Sequence, residues 1–168
     1  MRVQTGDGLS HVFAVNVMAP YVLTALMRRP RRLVYLSSKL HQQVEANFDD
    51  LLWKHRRWDG ATAYSETKLY DTMLACFMAR RWPETCSTAL EPGWVPTKMG
   101  GPGAPDDLDQ AHLTQAWLAT SEDTEAMQSG AYFYHLRRVQ PNPQANDEAL
   151  QAMLIQRLEK LTDIVLPA

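Results

Sequence analysis

Apolar and polar positions follow two periods along this chain. Over residues 7–28, Leu9, Val12, Phe13, Val17, Val22, Leu23 and Leu26 recur at near-helical spacing. Asp7 or Ser10 offers a cap at the start, and Arg28, Arg29 and Pro30 mark the end. RLVYLSS then reads as a short buried strand over 32–37. Residues 39–60 keep no clean period and predict a long excursion with one turn of helix near 49–54. A helix is predicted over 62–82, with Tyr70, Met73, Leu74, Phe77 and Met78 on one face and Pro83 beyond its end. CSTALE predicts a strand at 86–91, closed by Pro92-Gly93. A loop, GWVPTKMGGPGAPDD, leads to a helix over 107–120 and a strand over 130–135. PNPQAN is a turn, and Asp147 caps a last helix with Leu150, Met153, Leu154, Leu158 and Leu161 in one stripe. Strands that alternate with helices predict an α/β fold: a parallel sheet of about three visible strands, with helices on both faces.

Composition adds bounds. A chain of 168 residues, 45% hydrophobic, buries a real core as one domain over 1–168. A net charge of −2 gives no reason to expect nucleic acid as a partner. The arginines around Pro30 read as counter-charges to a helix carboxyl end. No apolar run approaches the ~20 residues that span a bilayer, and the first residues lack the apolar stretch of a signal peptide. A cytoplasmic protein without a membrane partner is expected. Cys76 and Cys86 have neither CxxC nor zinc spacing and read as buried thiols in a reducing compartment. His41, His55 and His112 share no ligand spacing, so no metal site is expected and surface or structural roles are. Of Trp53, Trp58, Trp94 and Trp117, Trp94 is the best placed to line a pocket, because it follows the second strand.

Chemistry concentrates in AYSETKLYD. Tyr64 and Lys68 are four apart and share a helix face. An ammonium ~4 Å from a phenol would favour phenolate by roughly 4 kcal/mol at an effective dielectric of about 20. A tyrosine so tuned can give or take a proton near neutral pH. Taken alone, such a pair also occurs by chance on solvated helices. Ser37 and Ser38 stand at the carboxyl end of the first strand, the edge where open α/β sheets bind ligands. Ser38 would hold a carbonyl oxygen there, or merely cap backbone groups. Pro20 lacks an N–H, which frees the Asn16 carbonyl inside a helix for a water or a side chain, unless Asn16 simply faces solvent at a kink.

AVNVMAPYVLT, RLVYLSS, AYSETK and ALEPGWVPTKMGG, in this order, resemble the short-chain dehydrogenase/reductase family. The resemblance runs from about Thr5 to His135. It implies a three-layer, Rossmann-like fold and a serine–tyrosine–lysine triad extended by an asparagine. Tyr64 would then move the proton, and Lys68 would tune it and hold the nicotinamide ribose. Ser38, with Ser37 as the substitute, would orient the substrate carbonyl, and Asn16 would anchor a relay water. Pro92, Gly93, Val95 and Thr97 match the family's loop against the nicotinamide end and diphosphate of NAD or NADP. The implied activity is carbonyl reduction or secondary-alcohol oxidation on a small molecule. Similar sequences act in fungal or bacterial metabolism, which implies a place in a biosynthetic pathway.

The strand, glycine-rich turn and helix that open the family pattern are not found here; Gly6 and Gly8 follow no strand. The resemblance is therefore to the C-terminal half of the family, a truncated domain. Two things are expected to follow: weak coenzyme affinity, and an open apolar edge at the 32–37 strand. A homo-oligomer, a partner chain covering that edge, or a gene start placed too late would each account for it. A coenzyme-free acid/base remnant and a silent subunit paired with a full-length relative are the rival readings.

Overall fold

A computed structural model describes residues 2–167. Helix α1, His11–Phe13, is capped by Ser10, whose Oγ accepts from the Phe13 N–H. It runs through a π turn at Ala14–Met18 into α2, Ala19–Leu26. The π turn has a local cause. In a regular α-turn the Pro20 ring would meet the Asn16 carbonyl. The wider turn, in which the Ala19 N–H reaches back five residues to the Ala14 carbonyl, makes room for it.

Strand β1, Arg32–Leu36, pairs in parallel with β2, Cys86–Glu91, which pairs in parallel with β3, Tyr132–Tyr134. A fourth strand, β4 (Arg137–Val139), completes the sheet antiparallel to β3. The three parallel strands are thus as expected, and β4 adds an antiparallel edge strand to them. The connection His135–Leu136 is a two-residue turn with φ of 45° and 63°. Positive φ at both positions is the primed hairpin geometry that normally advertises itself by Asn-Gly. Neither residue gives that signal.

Helix α3, Gly60–Arg81, is capped by Asp59, and α5, Glu148–Thr162, by Asp147 as expected. The helix expected over 107–120 divides into a 3₁₀ turn, Leu108–Gln110, and α4, Leu113–Thr120. Alternate strand residues face opposite ways. Leu33, Tyr35, Ala89 and Tyr132 join Tyr21 of α2, Met73 and Leu74 of α3 and Leu154 of α5 in one core. Val34, Leu90 and Phe133 meet Leu118 of α4 in a second core on the other face. The layers are thus helices, sheet and helix. Helix α3 lies between the sheet and α5, so its apolar residues need no single stripe.

The excursion after β1 opens with a 3₁₀ turn, Lys39–Gln43, and is pinned to α3 farther along. Glu66 accepts from Trp53 Nε1 at 2.9 Å and from both Arg56 terminal nitrogens at 2.6 and 2.8 Å. The outer edge of β1 pairs with no strand among the described residues.

Candidate active site

Tyr64 and Lys68 lie one turn apart on α3, at the carboxyl edge of the sheet. Tyr64 is half-buried and Lys68 buried. The Lys68 ammonium sits over the Tyr64 ring, 5.8 Å from its centroid. It donates to the Leu36 carbonyl at 2.7 Å and to Asp71 Oδ2 at 2.9 Å. Leu36 is the last residue of β1, and the ammonium is therefore tied to the strand that carries Ser37 and Ser38.

The two serines do different things. Ser37 is buried; its Oγ donates to the Lys68 carbonyl at 2.9 Å and accepts from Thr72 Oγ1 at 2.9 Å. Those bonds lock β1 to α3 and leave Ser37 a structural role. Ser38 is half-buried and caps the 3₁₀ turn, its Oγ accepting from the Leu40 N–H at 3.3 Å. The capping alternative is thus what its hydroxyl does in this state, and one long bond leaves it the freer of the two. Asn16 reaches the same helix from the π turn. Its Nδ2 donates to Thr67 Oγ1 at 3.0 Å, and that hydroxyl donates to the Tyr64 carbonyl at 2.7 Å. Asn16 is therefore turned to α3 between Tyr64 and Lys68.

Three residues at this edge carry roles that their sequence context did not announce. Asp71 is buried beside Lys68, and its Oδ1 has no hydrogen-bond partner among the described residues. Burial pushes its carboxyl up to about 7, against the opposing pull of the Lys68 ammonium. Its spacing of three from Lys68 was visible, but its burial was not. Glu91, the last residue of β2, is also buried; burial raises its carboxyl, while the charge and N–H of Lys39 oppose the rise. It thereby holds the residue after Ser38. His41 is wholly buried, with Nδ1–H donating to the Ser38 carbonyl at 2.6 Å and Nε2 accepting from the Asn142 N–H at 3.0 Å. That confirms a structural role and excludes a surface one.

The loop after β2 folds on itself. Gly93 has φ 93°, and a Cβ there would come within 2.7 Å of Asp106 Oδ2. The same oxygen accepts the Trp94 N–H at 2.5 Å. Thr97 Oγ1 accepts from the Gly100 N–H at 3.2 Å, and the Thr97 N–H donates to the Val95 carbonyl at 2.7 Å. Trp94 is exposed, its Nε1 donating to the Gly100 carbonyl at 2.8 Å. Pro92 and Gly93 are half-buried where β2 ends, while Thr97 lies exposed farther along the loop. A cleft of about 280 Å³ between the excursion and α5 is lined by none of these site residues.

The chain is 32% identical over 169 residues to the short-chain dehydrogenase chyC of Penicillium rubens, covering 98% of itself and 65% of that protein. It is 35% identical over 166 residues to an uncharacterized oxidoreductase of Emericella nidulans, covering 97% and 62%. The chain is homologous to the short-chain dehydrogenases. The fold agrees: an uncharacterized protein of Mycobacterium paratuberculosis superposes with a TM-score of 0.82 at 25% identity, over 100% of this chain and 64% of that one. No protein-family model matches the chain. It spans somewhat over 60% of the length of these two relatives. No helix of the described residues is long and apolar enough to cross a membrane.

The residues present fit a nicotinamide coenzyme at one end only. Lys68 and Tyr64 stand together at the sheet edge, with Pro92 and Gly93 at the end of the neighbouring strand. Farther along, the backbone N–H of Trp94 is taken by the Asp106 carboxylate.

Proposed function

We propose that this chain carries the proton-transfer site of an NAD(P)-dependent oxidoreductase, reducing a small-molecule carbonyl or oxidising a secondary alcohol. The observation that carries the reading is the Lys68 ammonium over the Tyr64 ring at the carboxyl edge of a parallel sheet. Homology to short-chain dehydrogenases and the order of the four motifs support it. The coenzyme, when bound, supplies or accepts the hydride. Tyr64 gives the proton to the developing alkoxide, or takes it from the alcohol. Lys68 steadies the charge on that phenol and holds the nicotinamide ribose. Ser38 leaves its bond to the Leu40 N–H to hold the substrate oxygen. Asn16 steadies the turn between Tyr64 and Lys68 through Thr67, and there it would hold a relay water. Pro92, Gly93, Val95 and Thr97 meet the coenzyme once Asp106 lets go. A reducing, cytoplasmic setting goes with this reading, since both cysteines are free and buried.

The test has two arms. Titration of NADPH and NADH against the purified chain is expected to show binding in the micromolar range or weaker. Tyr64→Phe is expected to cut turnover by about 10²–10⁴-fold, with unfolding shifted by no more than about 0.5 kcal/mol. Undiminished turnover in that variant refutes the role given to Tyr64. Absence of coenzyme binding favours a coenzyme-free remnant or a silent subunit.

One observation supports a partner as well. The free outer edge of β1 is a template for a further strand. The reading is that a second copy or a full-length relative covers it.

A further inference from the structure

We propose that Asp71 is a positioning residue for Lys68, fixing where its ammonium sits and how much of its charge reaches Tyr64. The inference rests on the reading of Tyr64 and Lys68 as the proton-transfer pair. Two acceptors hold the ammonium: the Leu36 carbonyl at 2.7 Å and Asp71 Oδ2 at 2.9 Å. The first is backbone and cannot change its charge. The second can. With Asp71 ionised, Lys68 is half of a neutral pair, and its field at the Tyr64 ring is largely cancelled. With Asp71 protonated, the ammonium stands uncompensated 5.8 Å from that ring.

The surroundings make protonation accessible. Asp71 is buried, 3% exposed, and an ionised carboxylate there leaves Oδ1 as a buried acceptor with no donor. A proton on Oδ1 removes negative charge from that undonated oxygen and leaves Oδ2 to accept from Lys68. The groups facing Asp71 are few. From its own helix it meets Lys68; from β1, the Tyr35 phenol feels its charge while sharing a hydrogen bond of 2.8 Å with Thr24 of α2. Lys68 is the one cation among the charges acting on it in the described residues. No second cation holds Asp71 ionised, and its burial accordingly lifts its titration toward neutrality.

The experiment follows both partners in the intact chain. Protein labelled with ¹³C at lysine Cε and aspartate Cγ is titrated by NMR from acid through neutral to mildly alkaline pH, with Lys68→Arg and Asp71→Asn used for assignment. The expected result is one transition near neutrality, seen on Asp71 Cγ and in step on Lys68 Cε, the Lys68 transition being lost in Asp71→Asn. A Lys68 signal that stays flat while Asp71 titrates overturns the proposal. So does a Lys68 transition that persists in Asp71→Asn. If that variant does not fold, the wild-type titration of the two signals decides alone. Loss of the proton-transfer reading, through undiminished turnover of Tyr64→Phe, would leave these signals as they are, so the two failures are distinguishable.

Discussion

His41 holds the backbone of the candidate substrate-orienting residue from inside the core. Its ring is neutral by construction: Nδ1–H donates to the Ser38 carbonyl, and Nε2 must stay bare to accept the Asn142 N–H. The ring lies 4.8 Å from that of Tyr132, which closes the site from the side of β3. Burial lowers the titration of His41, and the bond to Ser38 opposes that only in part. The sign follows. Between the lowered folded value and the ordinary value of 6.5, the unfolded chain binds a proton that the folded one refuses. This contribution is fully present above 6.5 and is lost as the pH falls below it. Asp71 acts in the opposite direction, since its raised carboxyl favours the fold at low pH and loses that contribution as the pH rises through about 7. Comparison with a variant isolates His41. His41→Asn is expected to cost about 1–3 kcal/mol at neutral pH. On acidification it should lose less stability than the wild type, measured by urea unfolding at both pH values. Equal losses would show that His41 does not titrate with folding.

At the scale of elements, what could be read in the chain depended on where its signals came from. β2 at 86–91 and the Asp147 cap of α5 are where the pattern put them, because a Pro-Gly stop and a side-chain cap are local chemistry. β4 was not legible, since His135 and Leu136 carry positive φ without the residues that favour it. The π turn was legible only as a disturbance at Pro20; its form depends on how the chain relieves the Asn16 carbonyl. The same division runs through the site. Tyr64 and Lys68 announce themselves by spacing, whereas the Leu36 and Asp71 anchors of Lys68 need β1 packed against α3. The hairpin turn also offers a test. Replacing His135-Leu136 with Asn-Gly, by His135→Asn and Leu136→Gly together, removes two side chains from a backbone they fit poorly. The pair is expected to add about 0.5–1 kcal/mol, raising the thermal midpoint by roughly 1–4 °C. A lowered midpoint would mean that the stack of His135 on Tyr134, with rings 3.9 Å apart, outweighs the relief.

For the whole molecule the open edge of β1 matters most, because it leads straight to Lys68. Along β1 the backbone groups alternate between β2 and the outside. Arg31 accepts from Cys86, and Ser37 donates to Leu90, so odd-numbered residues face β2. Arg32, Val34 and Leu36 therefore point their backbone groups outward. The Leu36 carbonyl is the outward acceptor that Lys68 satisfies. A strand laid along this edge would offer a donor to that carbonyl and compete with the ammonium. The proposed partner and the proposed proton chemistry thus meet at one atom. Val34→Pro separates them. The proline removes an N–H that faces away from β2, so the β1–β2 pairing survives, while a strand on the outer edge loses its bond. The stability lost with the Val34 packing against α4 is expected to be about 1–2 kcal/mol. If the edge is covered by a second copy, the wild-type chain should associate in a concentration-dependent way in sedimentation or light scattering, and Val34→Pro should remain monomeric. A wild-type chain that stays monomeric removes the second copy and leaves the full-length relative as the partner to test. Association unchanged in Val34→Pro places the contact elsewhere and removes β1 as the interface.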